Sequence, residues 1–150
     1  MRRRINQVLD PVMSVETAAT KVRRLVYLLV ANRPIRYGKE YSRIIYIGTT
    51  ERGVSRIASS ASKRIVQAVE EIRGMRRIDA YVVWARARQG KHTHKGMTFW
   101  RVLERALLLQ FTQRYGTPPR LNGTGHNMKP RGEFLVFRQA GVDRIISRYT

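Results

Sequence analysis

The sequence predicts an α+β fold: a small antiparallel β-sheet of about three strands flanked by helices, in the order β-β-α-β-α. Three short segments rich in β-branched and aromatic residues predict the strands. Two longer segments repeat apolar residues at the i, i+3, i+4 spacing of an amphipathic helix. With 150 residues, the chain has the length of one domain.

The first two strands are predicted at residues 25–31 and 43–47, and we expect them to pair as a hairpin. Between them, residues 32–41 contain Pro34 and Gly38, which interrupt regular structure. This intervening segment therefore predicts a loop.

A long helix is predicted over residues 54–72, ended by Gly74, and residues 78–85 predict a third strand. A basic loop over residues 86–96 leads to a second long helix at residues 98–115. On the first of these helices, the face predicted to be buried consists of Val54, Ile57, Ala58, Ala61, Ile65, Ala68, Val69 and Ile72.

The two ends of the chain carry weaker signals. Residues 1–24 are expected to be a basic arm with a short helical piece, which Ser14 could cap. After a loop over residues 117–132, residues 133–137 predict a short strand and residues 142–149 predict a short helix.

Charge is the strongest feature of the composition. Thirty Lys and Arg residues stand against ten Asp and Glu, which gives a formal net charge of +20 and a pI near 11.6. Such an excess repels itself unless a polyanion neutralises it, and 24 of the cations are arginine, which forms forked contacts with phosphate. We therefore expect a nucleic acid as the partner, DNA in preference to RNA, and not a membrane. The oligomeric state is open.

The lack of cysteine excludes disulfides, thiolate zinc sites and a cysteine nucleophile. The longest strongly apolar run covers residues 25–31 and is far too short to span a bilayer. These two features predict a soluble protein of the cytoplasm.

Glu104 has an unusual position on the second long helix. At roughly 100° per residue, its side chain lies within about 60° of Trp100, Leu107, Leu108 and Phe111, in the middle of the apolar stripe. Burying a carboxylate without a partner is costly. Glu104 is therefore expected to meet an arginine, a metal ion or the open end of a cleft.

A second group of polar residues lies where the second predicted strand meets the first long helix. Tyr46-Ile47-Gly48 ends the strand, and Arg56 follows in the first turns of the helix. Glycine lets a phosphate or another backbone approach closely, and a helix N-terminus with an arginine favours anions. Tyr27, on the neighbouring strand, is expected to stand beside Tyr46.

These residues, with Asn122 after a proline-containing turn, resemble the motifs of the GIY-YIG nuclease family over about two-thirds of the chain. Members of that family carry Gly-Ile-Tyr on one strand and Tyr-Ile-Gly on the next, followed by an arginine, a glutamate and an asparagine. The first motif keeps only its tyrosine here, and Ser60 stands where many members have His or Tyr. The matching residues are Leu25-Val26-Tyr27, Tyr46-Ile47-Gly48, Arg56, Glu104 in FWRVLERALLLQF and Asn122 in PPRLN.

The resemblance implies a GIY-YIG-like nuclease domain at residues 25–132, preceded by the arm at residues 1–24. Residues 133–150 would form a C-terminal extension of the same domain. It also implies an endonuclease that hydrolyses the phosphodiester bonds of DNA with a single divalent cation, Mg²⁺ or another such as Mn²⁺.

The same resemblance implies a role for each matching residue. Glu104 would hold the cation, and Arg56 would stabilise the phosphate. Tyr27 or Tyr46 would help to deprotonate the attacking water. Asn122 would anchor the helix that carries the glutamate, or position a group of the substrate.

The basic loops and the first long helix are expected to bind the nucleic acid. His92 and His94 are expected to touch phosphate in preference to a metal, and His126 is a further candidate for the base. Two other functions are open: a non-catalytic DNA- or RNA-binding protein with a degenerate GIY-YIG fold, and a packaging protein without a defined site. The residues expected to contact nucleic acid are Gly48, Arg33, Arg36, Lys39, Lys63, Arg64, Arg86, Arg88 and Lys91.

Charge alone predicts that binding to nucleic acid weakens steeply as salt is added. If the basic loops place about six cations on phosphates, counterion release gives a log–log slope of about −5 on duplex DNA. Neutralising Arg33, Arg36 and Lys39 should make the slope shallower by about one unit per lost contact, as measured by titration of labelled DNA. A slope near zero for the unmodified protein would remove nucleic acid as the partner.

Overall fold

The computed structural model describes residues 17–85, 93–123 and 125–150. Residues 1–16 of the predicted arm and the basic-loop residues Arg86, Arg88, Lys91 and His92 lie outside the described residues. None of the described helices is long and apolar enough to cross a membrane. In chain order the elements are α1 (Thr17–Thr20), β1 (Leu25–Tyr37), β2 (Glu40–Thr50), α2 (Val54–Glu71), β3 (Ile78–Val83), β4 (Thr93–His94), β5 (Met97–Thr98), α3 (Phe99–Tyr115), α4 (Glu133–Val136) and α5 (Gln139–Ser147).

The centre of the fold is a three-stranded antiparallel sheet in the order β2-β1-β3, so β1 is paired along both edges. All side chains of residues 25–31 are buried. Because alternate residues of a strand point to opposite faces, this burial requires cover on both faces of the sheet. The buried sides of α2 and α3 belong to the same hydrophobic core. The predicted α+β class, with helices flanking a small antiparallel sheet, is confirmed.

The first hairpin is longer than predicted, and the loop expected at residues 32–41 is wrong. Both strands continue to a two-residue turn at Gly38 and Lys39, where Gly38 has a φ of 59°. Pro34 does not end β1, because β3 pairs with β1 only as far as Ala31 and the ladder with β2 is irregular there. The missing N–H of the proline is therefore tolerated.

The two long helices differ from their predicted bounds by one residue each. Gly116 closes α3 with a φ of 75°, the left-handed conformation that glycine adopts without strain. The predicted buried face of α2 is too wide, since Ala58, Ile65 and Val69 are exposed. The helix packs along a narrower stripe that consists of Ile57, Ala61 and Ala68, continued by Ile72.

The strand predicted at residues 133–137 is wrong, because this segment begins with the short helix α4. Its β-forming side chains are outweighed by one tertiary contact. The buried Glu133 carboxylate accepts hydrogen bonds from Arg105 Nε at 2.6 Å and from the Arg131 N–H at 2.6 Å. The helix predicted at residues 142–149 is present as α5, displaced towards the N-terminus.

The ion pair between Arg105 and Glu133 is more buried than the other ion pairs found among the described residues, since the Glu133 side chain has 0% exposure and that of Arg105 has 18%. Glu133→Ala should lower the free energy of unfolding by about 3 kcal/mol, because it leaves the guanidinium without its partner. Glu40→Ala removes an exposed partner of Arg114 and should cost less than about 1 kcal/mol. Equal losses in urea unfolding would contradict this ranking.

Candidate functional site

Tyr27 and Tyr46 lie side by side on the sheet. The register of β1 and β2 pairs Tyr27 with Gly48 and Leu29 with Tyr46, so the two tyrosines are diagonal neighbours on one face. Their ring centroids are 5.8 Å apart, and the ring planes are tilted by 43°. The expected proximity of the two tyrosines is therefore present in the structure.

Gly48 makes room for both tyrosine rings. A Cβ atom at this position would lie 2.6 Å from Tyr46 Cε1 and 3.0 Å from the Tyr27 hydroxyl oxygen, which is closer than side chains pack. Gly48 is itself buried. The structure gives this glycine a packing role, and its predicted contact with nucleic acid stays a prediction.

Glu104 reaches the same place from α3. Burial raises the pKa of Tyr27 well above its ordinary value, the neighbouring Tyr46 adds to that rise, and the nearby Glu104 charge adds a smaller part. Burial also raises the pKa of Glu104 itself to about 7, although the charges of Arg101 and Arg105 oppose the shift. Glu104 is thus a half-buried carboxylate for which ionisation is costly.

Within the described chain, the Glu104 carboxylate has no hydrogen bond and no ion pair. Its sequence neighbour Arg105 is engaged elsewhere: Nε donates to Glu133, and Nη2 donates to the Lys129 carbonyl at 2.8 Å. Of the three surroundings expected for Glu104, an arginine partner is absent from the described residues. The described residues therefore leave this carboxylate without a hydrogen-bonded partner, while the charges of Arg101 and Arg105 act on it from a distance.

Arg64 of α2 completes what we term the tyrosine–glutamate cluster, which consists of Tyr27, Tyr46, Gly48, Arg64 and Glu104. The Arg64 guanidinium carbon lies 4.9 Å from the centroid of the Tyr46 ring, which is a cation–π contact. Its charge opposes the rise in the pKa of Tyr27. The sequence predicts Arg64 only as a phosphate contact, because no spacing rule connects a position on α2 with a tyrosine on β2.

Arg56 is exposed on the first turn of α2 and lines an open cleft of about 340 Å³, which we term the arginine cleft. The cleft adjoins the tyrosine–glutamate cluster, because Thr50 lies two residues after Gly48 on the same face of β2 and Arg101 lies one helical turn before Glu104. Its lining residues are Thr49, Thr50, Glu51, Arg52, Arg56, Trp100 and Arg101.

Two cations of the arginine cleft, Arg52 and Arg101, are not predicted from the sequence. Arg101 does have a signal, since a residue three positions before Glu104 on a helix shares its face. Arg24 is not among the lining residues of the cleft, but its guanidinium carbon lies 4.8 Å from the centroid of the Trp100 ring, which is a cation–π contact. Three arginines and a tryptophan therefore face one opening, with Glu51 as the acid in its lining.

Asn122 binds the free edge of β2 and does not bind α3. Its Oδ1 accepts a hydrogen bond from the Ile47 N–H at 3.0 Å, and its Nδ2 donates to the Ile47 carbonyl at 2.8 Å. The Leu121 N–H also donates to the Ile45 carbonyl at 2.9 Å. Both ends of the Asn122 amide are thus used to hold the proline-containing loop against the strand that carries Tyr46.

The other predicted contacts are dispersed over the surface. Arg33, Lys39 and Lys63 are exposed on β1, on the hairpin turn and on α2. Arg36 and His126 line a second cleft and lie outside the tyrosine–glutamate cluster. The candidacy of His126 as the base is not supported by this placement.

The cluster contains a half-buried carboxylate and two phenols, and the neighbouring arginine cleft contains several cations. Such a set can bind a cation through carboxylate oxygens and an anion through guanidinium groups. Comparison of the chain with protein-family models, with curated proteins and with solved structures found no match. We therefore infer function from the geometry and the sequence motifs.

The raised pKa of Glu104 predicts a pH-dependent stability. The folded protein holds the Glu104 proton up to about pH 7, whereas an unfolded chain loses it near pH 4.5, so ionisation removes stability as the pH rises through this range. In metal-free buffer, Glu104→Gln should therefore be more stable than the unmodified protein at pH 8, and the difference should vanish near pH 4.5. The midpoints of urea unfolding of the two proteins at pH 8 and at pH 4.5 measure this difference in stability.

Glu70→Gln serves as the matched control, because Glu70 is an exposed carboxylate on α2. Its effect on the urea midpoint should be similar at both pH values. If Glu104→Gln behaves in the same way, the Glu104 carboxylate is better solvated or better paired than its position indicates.

Proposed function

We propose that the protein is a metal-dependent endonuclease of the GIY-YIG type, which hydrolyses DNA phosphodiester bonds with a single divalent cation, Mg²⁺ or another such as Mn²⁺. The observation that carries the proposal is the Glu104 carboxylate, which is half-buried beside Tyr27 and has no hydrogen bond or ion pair with a described residue. A carboxylate oxygen is the ligand that Mg²⁺ prefers in proteins.

Glu104 would hold the cation, and the chemistry that a bound cation supplies is neutralisation of charge on the reacting phosphate. Arg56 and Arg101 would bind the phosphate oxygens, since both line the adjoining cleft and carry forked donors. The phosphate would then lie between the guanidinium groups of the arginine cleft and the carboxylate of the cluster.

The two tyrosines differ in the role that they can take. Burial keeps the pKa of Tyr27 well above its ordinary value, so its hydroxyl stays protonated and can only donate or orient. Tyr46 is half-buried and therefore reachable by water. A phenol must give up its own proton before it can take one from water, and the charges of Arg64 and of a bound cation would favour that loss at Tyr46. We therefore assign help in deprotonating the attacking water to Tyr46, and a positioning role to Tyr27.

A non-catalytic DNA- or RNA-binding protein of the same fold is the alternative. The described residues contain no group of three or more His, Asp and Glu side chains that could hold a metal ion, so in a nuclease the cation would be held by Glu104 without such a group. The net charge of +20 suits both functions and does not separate them.

Glu104→Gln should abolish cleavage of plasmid DNA in Mg²⁺ and leave DNA binding in EDTA nearly unchanged, because glutamine keeps the shape and loses the charge. Mg²⁺ should also raise the melting temperature of the unmodified protein at pH 8 and not that of the variant. Glu70→Gln is the matched control and should cut at the normal rate. A Glu104→Gln rate above about a tenth of normal would exclude Glu104 as the metal ligand.

Tyr46→Phe should lower kcat by about a hundredfold or more, the usual scale for loss of a general base. Tyr27→Phe should lower it less, because the Tyr27 hydroxyl stays protonated. Single-turnover cleavage assays of the two variants compare the same chemical change at neighbouring positions. Full activity in both would place the deprotonation of water on another group.

A further inference from the structure

A second cleft lies between the turn that joins β1 and β2 and the proline-containing loop after α3. Its volume is about 280 Å³, and we term it the hairpin cleft. Arginines from both walls line it together with a histidine, and none of the described residues that line it is acidic. The lining includes Arg36, Tyr37, Pro118, Pro119, Arg120 and His126.

The floor of the hairpin cleft is fixed by hydrogen bonds. The buried Tyr37 hydroxyl donates to the Ile44 carbonyl at 2.8 Å and accepts from the Arg120 N–H at 3.0 Å. Burial raises the pKa of Tyr37 to about 12, so this hydroxyl stays protonated at neutral pH. Asn122 holds the same loop to Ile47 through both ends of its amide. The cleft is therefore formed before any ligand arrives.

The two arginines on the rim of the hairpin cleft, Arg36 and Arg120, have N–H donors that no described residue uses. Arg36 donates from Nε to the Gly38 carbonyl at 2.9 Å, which orients the guanidinium and leaves its two terminal nitrogens unused among the described residues. The Arg120 guanidinium has no hydrogen bond or ion pair with any described residue, and both arginines are exposed. Pro118 and Pro119 add a buried apolar surface between the walls.

We propose that the hairpin cleft binds a backbone phosphate of a nucleic-acid strand, at a position separate from the tyrosine–glutamate cluster. Arg36 and Arg120 hold the phosphate oxygens through forked contacts. His126 adds a third nitrogen donor at the rim.

The position of the hairpin cleft relative to the cluster supports a strand as the occupant. Asn122 lines the cleft and is hydrogen-bonded to Ile47, whose neighbours in β2 are Tyr46 and Gly48 of the cluster. The proline-containing loop that covers this edge of β2 therefore connects the two sites, and a strand bound at both would cross that loop. We rest this proposal on the nucleic-acid partner proposed above, and not on cleavage.

The test measures the affinity of a fluorescent single-stranded oligonucleotide in EDTA, where a metal-dependent nuclease cuts nothing. Replacing Arg36 and Arg120 together by alanine should weaken binding about tenfold or more. It should also make the log–log salt slope shallower by about 0.7 units for each phosphate that is no longer contacted. Because both side chains are exposed, the melting temperature should stay within a few degrees of that of the unmodified protein.

The double variant Arg138→Ala with Arg144→Ala is the matched control. It also removes two positive charges, but from exposed positions that do not line the cleft. It should change affinity less than about threefold, the share expected from net charge alone. An equal loss in the control and in the hairpin-cleft variant would overturn the proposal.

A titration with adenosine monophosphate separates the two sources of a phosphate ester, a strand and a free nucleotide. A strand site predicts that the nucleotide does not displace the oligonucleotide at micromolar concentration. Tight nucleotide binding that the double variant abolishes, with oligonucleotide affinity unchanged, would overturn the strand assignment. The cleavage assay of Glu104→Gln reports separately on the nuclease, so failure of either proposal is recognised without the other.

Discussion

The pairing of β1 along both of its edges is the constraint on which the rest of the structure depends. Its buried first half fixes β2 on one side and β3 on the other, and the register with β2 sets Tyr27 opposite Gly48. A shift of one residue would turn Tyr46 to the opposite face of the sheet. The hydrogen bonds of Asn122 to Ile47 secure the outer edge of β2 beside Tyr46. The candidate site therefore exists only in this register.

Two adjacent residues of α3, Glu104 and Arg105, have opposite charges and different surroundings. Arg105 binds Glu133 and the Lys129 carbonyl, and so ties the C-terminal part of the described chain to the helix. Glu104 is left without a partner in the described residues, although cations are abundant in this protein. A half-buried carboxylate with a raised pKa and no hydrogen-bonded partner among the described residues is a feature found at functional sites, and the proposed site depends on Glu104 for that reason.

The sequence was informative where a signal is periodic or local. The bounds of α2 and α3 follow from long apolar repeats, and the place of Glu104 in the apolar stripe follows from helix geometry. The loop predicted at residues 32–41 is wrong because Pro34 lies beyond the last pair of β1 with β3 and within the irregular part of its ladder with β2, where a missing N–H is tolerated. The strand at residues 133–137 was wrong because a buried ion pair outweighs local propensity.

Periodic and local signals in the sequence do not predict the tertiary contacts of the site. Helical spacing places Glu104 on a face of α3, but it does not reveal that Arg105 is engaged with Glu133. The stacking of Arg64 on Tyr46 joins two elements whose relative position no pattern in the chain encodes. Asn122 was expected to anchor a helix or a substrate, and the structure instead directs its amide to a strand.

Burial raises the pKa of Glu104 to about 7, so part of the population carries a proton on this carboxylate in the neutral range. A cation that takes Glu104 as its ligand must displace that proton, so binding and proton release are coupled. The heat of such binding would depend on the ionisation enthalpy of the buffer. Mild acidification would therefore weaken the hold on a cation without any change in the shape of the protein.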